Sequence, residues 1–207
     1  MSFTREEKRI VVGITGASGA IYANRLIEEL LTRVSRVYCV ATDAGKQVCD
    51  YELSGSECSF SLRRAISGDI EPEHRHVLRL FKNDDLFSPI ASGSSAPSHM
   101  VIVPCSMGSL ARISSGMSSN LLERAADVAL KQRIPLIICP RETPLNTIHL
   151  QNMLNLSQMG VHIVPMMPAF YQKPKSIYDL VDFMVGRILE LLGLEHKLYV
   201  PWNSRMR

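Results

Sequence analysis

The stretch that most limits what this chain can fold into is Ile10-Val11-Val12-Gly13-Ile14-Thr15-Gly16-Ala17-Ser18-Gly19-Ala20-Ile21-Tyr22. Its apolar, β-branched start reads as a buried strand, its glycines and small hydroxyl residues as a tight turn, and the rest as the opening of a helix. Such a turn leaves backbone N–H groups unpaired at the positive end of a helix dipole, where phosphate binds. The pattern predicts a phosphate cradle for a nucleotide cofactor. Gly13, Gly16 and Gly19 give G-x-x-G-x-x-G, not the G-x-G-x-x-G of a dinucleotide fingerprint. No G-x-x-x-x-G-K-[ST] occurs, which excludes a P-loop. A tight turn without a ligand has the same appearance, so the remaining chain must supply the rest of a site.

The alternation continues beyond this turn. Residues 20–32 are apolar on one side, 37–41 form a second buried strand, and Thr42 and Asp43 stand at the N-cap of a helix over 45–53. Residues 76–80 read as a strand within the otherwise irregular 54–85, and 88–98 as a Ser-, Pro- and Gly-rich loop. The clearest core strand is 100–104, ending in Cys105-Ser106-Met107-Gly108, a second small-residue turn into a helix. A helix over 121–131 carries Arg124 and Asp127 at i, i+3. A strand over 136–140 follows, with Arg141 and Glu142 directly beyond its end. The chain finishes with a helix over 146–159 stopped by Gly160, a short strand at 162–165 and a long helix over 177–192. Strands and helices alternating at this spacing imply right-handed βαβ units. The expectation is one α/β domain over 1–207: an open, doubly wound, mainly parallel sheet of Rossmann-like, flavodoxin-like three-layer form. Its core spans about 9–192, with a C-terminal helix and a tail over 193–207.

Bulk properties exclude several classes. A net charge of +3 over 207 residues gives no basis for nucleic-acid binding. No apolar run approaches the roughly 18–20 residues of a membrane span, and the charged N-terminal stretch lacks a signal peptide's apolar centre. Five cysteines without C-x-x-C spacing speak against a disulfide framework or a zinc site and suit a reducing cytoplasm. His74-x-His76 reads as polar surface rather than a metal site.

Ligands of doubly wound folds lie outside the carboxyl ends of the strands. Gathered there by the pattern are Gly16, Ala17 and Ser18; Thr42; Ser92-Gly93-Ser94-Ser95; Cys105 and Ser106; and Arg141 with Glu142. Small residues let a flat ring and a phosphate approach the backbone closely. Arg141 and Glu142 are either a surface pair or, directly after a core strand, functional. Arg187 falls at helical spacing from Leu180, Phe183, Met184 and Leu191, the expected buried face. A guanidinium there needs an anion or must snorkel to water. Tyr171 suits packing or ligand contact equally, Trp202 reads as packing on the fold or on a neighbouring subunit, and Cys105 as a small buried hydrophobe rather than a nucleophile.

Several motifs occur together and in order: Gly-Ile-Thr-Gly-Ala-Ser-Gly-Ala at 13–20, Ser-Gly-Ser-Ser at 92–95, Pro-Cys-Ser-Met-Gly at 104–108, Leu-Leu-Glu-Arg-Ala-Ala-Asp-Val-Ala-Leu-Lys at 121–131, Pro-Arg-Glu-Thr-Pro-Leu at 140–145 and Pro-Ala-Phe-Tyr at 168–171. With them the chain closely resembles the flavin prenyltransferases of the UbiX type, long described as aromatic-acid or 3-octaprenyl-4-hydroxybenzoate carboxy-lyases. The resemblance runs from about Arg9 to Trp202. It implies metal-independent transfer of a dimethylallyl group from dimethylallyl phosphate to N5 and C6 of reduced FMN. The prenylated FMN would serve a separate UbiD-type decarboxylase, in ubiquinone synthesis or in degradation of aromatic acids. It implies FMN at Gly16, Ala17, Ser18, Thr42, Ser92, Ser94, Cys105, Ser106, Met107, Gly108, Arg124 and Arg141. It implies the donor phosphate near Lys131, Arg141, Glu142, Tyr171 and Arg187, with Glu52 and Trp202 close by. In that scheme Lys131, Arg141 and Arg187 stabilise the departing phosphate, and Glu142, or failing it Glu52, relays a proton. Family members form homo-oligomers, typically dodecamers with flavin at subunit junctions. Thr42 stands where the family usually has serine, and residues 54–85 match no family pattern. The histidine and Asn-Met-rich loop of the related cysteine decarboxylases have no counterpart.

Two alternative functions share parts of this pattern. A short-chain NAD(P)H oxidoreductase is mimicked by Thr15-Gly16 and by Tyr171 to Lys175. However, Ala20 and Tyr22 fill its later glycine positions, and Pro174 breaks the helix that should carry tyrosine and lysine. A non-catalytic FMN-binding protein would not need the second cluster of cations.

Overall fold

The computed structural model describes residues 8–55 and 60–200; Cys58 and Trp202 lie outside the described residues. Six strands, β1 (Arg9–Ile14), β2 (Arg36–Ala41), β3 (Leu78–Phe81), β4 (His99–Cys105), β5 (Leu136–Pro140) and β6 (His162–Ile163), form one sheet. Their order is β3-β2-β1-β4-β5-β6, and every pairing is parallel. The helices are α1 (Ala20–Leu31), α2 (Asp43–Glu52), α3 (Leu62–Ile66), α4 (Met107–Ser114), α5 (Leu121–Gln132), α6 (Thr147–Gln158) and α7 (Ile177–Leu191). This is the Rossmann strand order, and its switch point lies between β1 and β4, where a ligand crevice is expected.

The strands read as continuous apolar runs because both faces of the sheet are covered. Ile10, Val12 and Ile14 pack with α1, α2, α3 and α7, while Val11, Met100, Ile102 and Ile138 pack with α4, α5 and α6. Helix starts are set by short polar caps: the Thr42 hydroxyl accepts from Gly45 N, and Asn146 and Ser176 head capping boxes. No helix among the described residues is long and apolar enough to cross a membrane.

Three expectations need correction. The unassigned segment 54–85 holds α3 and a short 3-10 turn, Pro72–His74. The start of α3 is fixed by a tertiary contact, Leu62 N donating to Asn24 Oδ1 at 2.8 Å, which no local pattern reveals. His74 sits edge-on to Phe60, 3.4 Å from Glu71. Among the described residues no three His, Cys, Asp or Glu side chains converge as a metal site would require. Second, Ser92-Gly93-Ser94-Ser95 lies away from the carboxyl ends of β1 and β4. β3 ends at Phe81, so the chain must travel back along the sheet to begin β4, and residues 89–98 are that return. Gly93 lies against Gln132 in the last turn of α5, and Ser98 N donates to Arg9 O at the amino end of β1. Third, the buried face of α7 is formed by Val181, Phe183, Met184, Val185, Ile188 and Leu189, which leaves Arg187 outside it.

His99, at the start of β4, is held neutral. Burial lowers its pKa to about 4, helped by Lys8, and among the described residues Nδ1 has no partner. The unfolded chain, titrating near 6.5, binds this proton first, so the contribution is complete above pH 6.5 and lost as pH falls towards 4. Urea titrations are expected to show a weaker loss of stability over that window in His99→Phe than in the parent chain.

Candidate active site

The carboxyl ends of β1 and β4 are joined by Thr15. Its hydroxyl donates to Pro104 O (2.9 Å) and accepts from Ser106 N (2.7 Å), and its own N–H reaches Pro104 O at 3.2 Å. Thr15 is fully buried. The only sequence signal for this role is a hydroxyl at the end of an apolar strand run. Arg141 closes the crevice from β5, with Nε donating to Ser18 O (3.1 Å) and its backbone N–H to Cys105 O (3.2 Å). From the β2 side, Thr42 N donates to Ile14 O at 3.0 Å, and α2 begins so close that a Cβ at Gly16 would lie 2.6 Å from Ala44 Cβ. Gly16, Ala17, Ser18, Thr42, Cys105, Ser106, Met107, Gly108 and Arg141 are thus assembled at one place. Glu142 follows on the exposed side, its Oε1 accepting from Thr143 N at 3.0 Å.

This crevice is rich in amide donors. Among the described residues the N–H groups of Gly16, Ala17 and Ser18 donate to no protein acceptor. Those of Met107 and Gly108 belong to the first turn of α4, where no intrahelical acceptor exists. Ser106 caps that turn by accepting from Ser109 N at 3.3 Å. The N-terminus of α1, which the glycine pattern offers to a phosphate, is instead taken by the chain's own carboxylate. Glu52 Oε2 accepts from Gly19 N (2.9 Å) and Ala20 N (2.8 Å), a favourable place for negative charge. Gly19 has φ +115°, a conformation that admits glycine readily. An incoming anion or ring is therefore left with the amides of 16–18 and the start of α4. Cys105 is a wall, not a nucleophile: burial pushes its thiol up to about 12.

A second cluster lies on α7. Arg187 is half exposed and pairs with Glu190, so it meets water rather than a buried stripe. Hydrogen bonding to Tyr199 leads the interactions that hold its pKa above the ordinary value, and Tyr171 is also near enough to contribute. Tyr171 packs edge-on to Phe183 at 5.7 Å. The structure therefore brings Tyr171 and Arg187 together.

Lys131, Ser92 and Ser94 lie elsewhere. α5 starts beside the carboxyl end of β3, where Leu121 N donates to Asn83 O at 2.8 Å. It ends near the amino edge, where Met100 N donates to Pro135 O at 3.0 Å. A 12-residue helix is about 18 Å long, so Lys131 stands far along α5 from the crevice side. Arg124 binds Ala91 O (3.2 Å) and Asp127 (2.8 Å), facing the 89–95 return rather than Arg141.

Comparison with known proteins decides the assignment. The Flavoprotein family model matches residues 2–189. A flavin prenyltransferase UbiX from Halalkalibacterium halodurans is 49% identical over 193 residues, covering 93% of this chain and 92% of that protein. The chain belongs to the UbiX flavin prenyltransferases. Solved relatives agree with this. The crystal structure of AnUbiX (PadA1) in complex with FMN and dimethylallyl pyrophosphate has a TM-score of 0.82 at 37% identity, covering 96% of this chain and 98% of the other. A dodecameric FMN-dependent UbiX-like decarboxylase from Escherichia coli O157:H7 also scores 0.82 at 37% identity, over 94% and 98%. The residues at the crevice fit the cofactor of such a family: Gly16, Ala17, Ser18, Ser106 and Gly108 are small enough for a flat ring to approach the backbone, and unpaired amides beside Arg141 suit its phosphate and ring-edge acceptors.

Proposed function

We propose that this chain transfers a dimethylallyl group from dimethylallyl phosphate to reduced FMN, at sites each completed by neighbouring copies. The observation that carries the reading is Arg141, anchored on Ser18 O beside the unpaired amides of the crevice. Reduced FMN supplies the nucleophilic N5 and C6. Arg141, Arg187 and Lys131 neutralise the charge that develops on phosphate as the allylic C–O bond breaks, and preorganised cations act most strongly where water is excluded. Tyr171 offers an aromatic face to the carbon that becomes positive. Glu142, exposed next to Arg141, takes up the proton that C6 loses when the ring closes and passes it to the departed phosphate. Gly16, Ala17, Ser18, Thr42, Cys105, Ser106, Met107 and Gly108 are the flavin contacts from one subunit.

Lys131, Arg124, Ser92 and Ser94 lie along α5 and the return beside it, so a second copy is the natural source of their contribution. Exposed apolar side chains support this arrangement. α6 buries only Leu156 and leaves Ile148, Leu150 and Leu154 more than half exposed, a composition suited to subunit contact. The described cysteines are free and buried, as in a reducing cytoplasm. The product is a modified cofactor, so a separate decarboxylase of the UbiD type is its recipient.

Anaerobic incubation of the protein with reduced FMN and dimethylallyl phosphate is expected to yield a flavin heavier by one C5H8 unit by mass spectrometry. Unchanged flavin with both ligands bound would reduce the protein to an FMN binder. A faster reaction with the diphosphate would reassign the donor.

A further inference from the structure

Around Arg187, the C-terminal half of α7 and the segment after it carry Glu190, His196 and Tyr199, which the reaction described above leaves unused. The two carboxylate oxygens of Glu190 are held separately. Oε2 pairs with Arg187 Nη1, while Oε1 accepts from the Tyr199 hydroxyl and lies 3.5 Å from His196 Nε2. Leu198 N donates to His196 Nδ1 at 3.3 Å, which in the neutral ring puts the proton on Nε2, facing Glu190. The segment bearing His196 and Tyr199 lies this close to α7 because position 186 is glycine. A Cβ there would stand 2.5 Å from Tyr199 Cε1 and 2.8 Å from His196 Cε1. Ring contacts at 5.1 Å from Tyr199 to Phe183 and to His196 fix the segment further. Gln172 Nε2 donates to Val200 O at 2.9 Å, tying it to the turn that carries Tyr171.

We infer that Glu190 is a positioning residue for the donor phosphate: held by the Tyr199 hydroxyl and flanked by His196, it fixes the guanidinium plane of Arg187. This rests on the assignment of Arg187 to the donor phosphate made above. An arginine on an exposed helix face is otherwise free to turn, and ordering it on binding weakens the complex. A guanidinium presents five N–H groups in a rigid planar fork. Committing Nη1 to an anchored carboxylate sets that plane, and the fork has more N–H groups than Glu190 and Tyr199 together take up. A carboxylate anchored by the Tyr199 hydroxyl, with His196 Nε2 3.5 Å away, stays in place when a phosphate arrives, so it acts as a rest for Arg187 and not as a rival anion.

Steady-state kinetics on the full-length assembled protein, at saturating reduced FMN, test this. Glu190→Ala is expected to raise KM for dimethylallyl phosphate about tenfold, the scale of one immobilised long side chain, with kcat and FMN affinity nearly unchanged. Glu190→Gln keeps an acceptor for Arg187 and is expected to recover much of the loss, and Tyr199→Phe to fall between. The double variant Arg187→Ala/Glu190→Ala should be no worse than Arg187→Ala alone, since Glu190 acts through Arg187. An unchanged KM in Glu190→Ala overturns the inference, and a lower one shows a competing anion instead. Additive losses in the double variant also overturn it. If Arg187→Ala itself keeps the parent KM, the donor assignment fails; if it is impaired while Glu190→Ala is normal, only the positioning role fails.

Discussion

Two inactive variants, Lys131→Ala and Arg141→Ala, are expected to regain prenylation when combined in one assembly. Each alone removes a preorganised cation from the charge developing on phosphate, a loss of roughly 10²–10³ in rate on the scale of a single transition-state donor. Lys131 sits in the last turn of α5, towards the amino ends of β4 and β5, whereas Arg141 follows the carboxyl end of β5 and binds Ser18 O. A single subunit does not bring the two together, so a site using both takes them from two chains. Where two chains share a site, a random equal mixture gives about a quarter of sites both an intact Lys131 and an intact Arg141, because each of the two chains is the required variant half of the time. Co-assembly of differently tagged variants followed by a prenylation assay measures this. If the mixture never exceeds the average of the two variants alone, both residues serve one subunit's site, or Lys131 serves none.

Gly16→Ala is the second substitution with a large expected effect, and it acts through packing rather than through direct loss of a ligand contact. The added methyl would meet Ala44 Cβ at 2.6 Å, far inside the ~3.5–4.0 Å of ordinary carbon contacts. Neither atom belongs to a flexible side chain that can swing aside. The turn 15–19 must therefore move off the start of α2, at a cost of about 1–3 kcal/mol for overpacking. That movement also displaces the amides of Gly16, Ala17 and Ser18 and the Ser18 carbonyl that holds Arg141. FMN affinity measured by fluorescence titration is expected to fall about tenfold or more, each 1.4 kcal/mol being a factor of ten. Ala44→Gly relieves the clash at a cost of about 0.5–1 kcal/mol of helix stability, so Gly16→Ala/Ala44→Gly should bind FMN better than Gly16→Ala. Failure of that rescue would place the requirement for glycine on the flavin itself.

The parts of this protein that were legible in the sequence are those fixed by neighbours along the chain. The runs Ile10 to Ile14, Met100 to Pro104 and Leu136 to Pro140 declared buried parallel strands because both of their faces are covered, and Thr42 declared a helix start because a cap acts within three residues. The strand-end turns at 16–18 and 105–108 and Arg141 were legible for the same reason, since the doubly wound topology sends strand ends to one crevice. The tertiary structure alone decided which groups share an environment. It gave the N-terminus of α1 to Glu52, 33 residues away from Gly19, and used Thr15 to join two strands. It turned Arg187 out to Glu190 and Tyr199, and sent Lys131 and Ser92 along α5, away from Arg141. Local pattern determines direction, period and termini, whereas the partner of a charge is set by chain segments that meet only after folding.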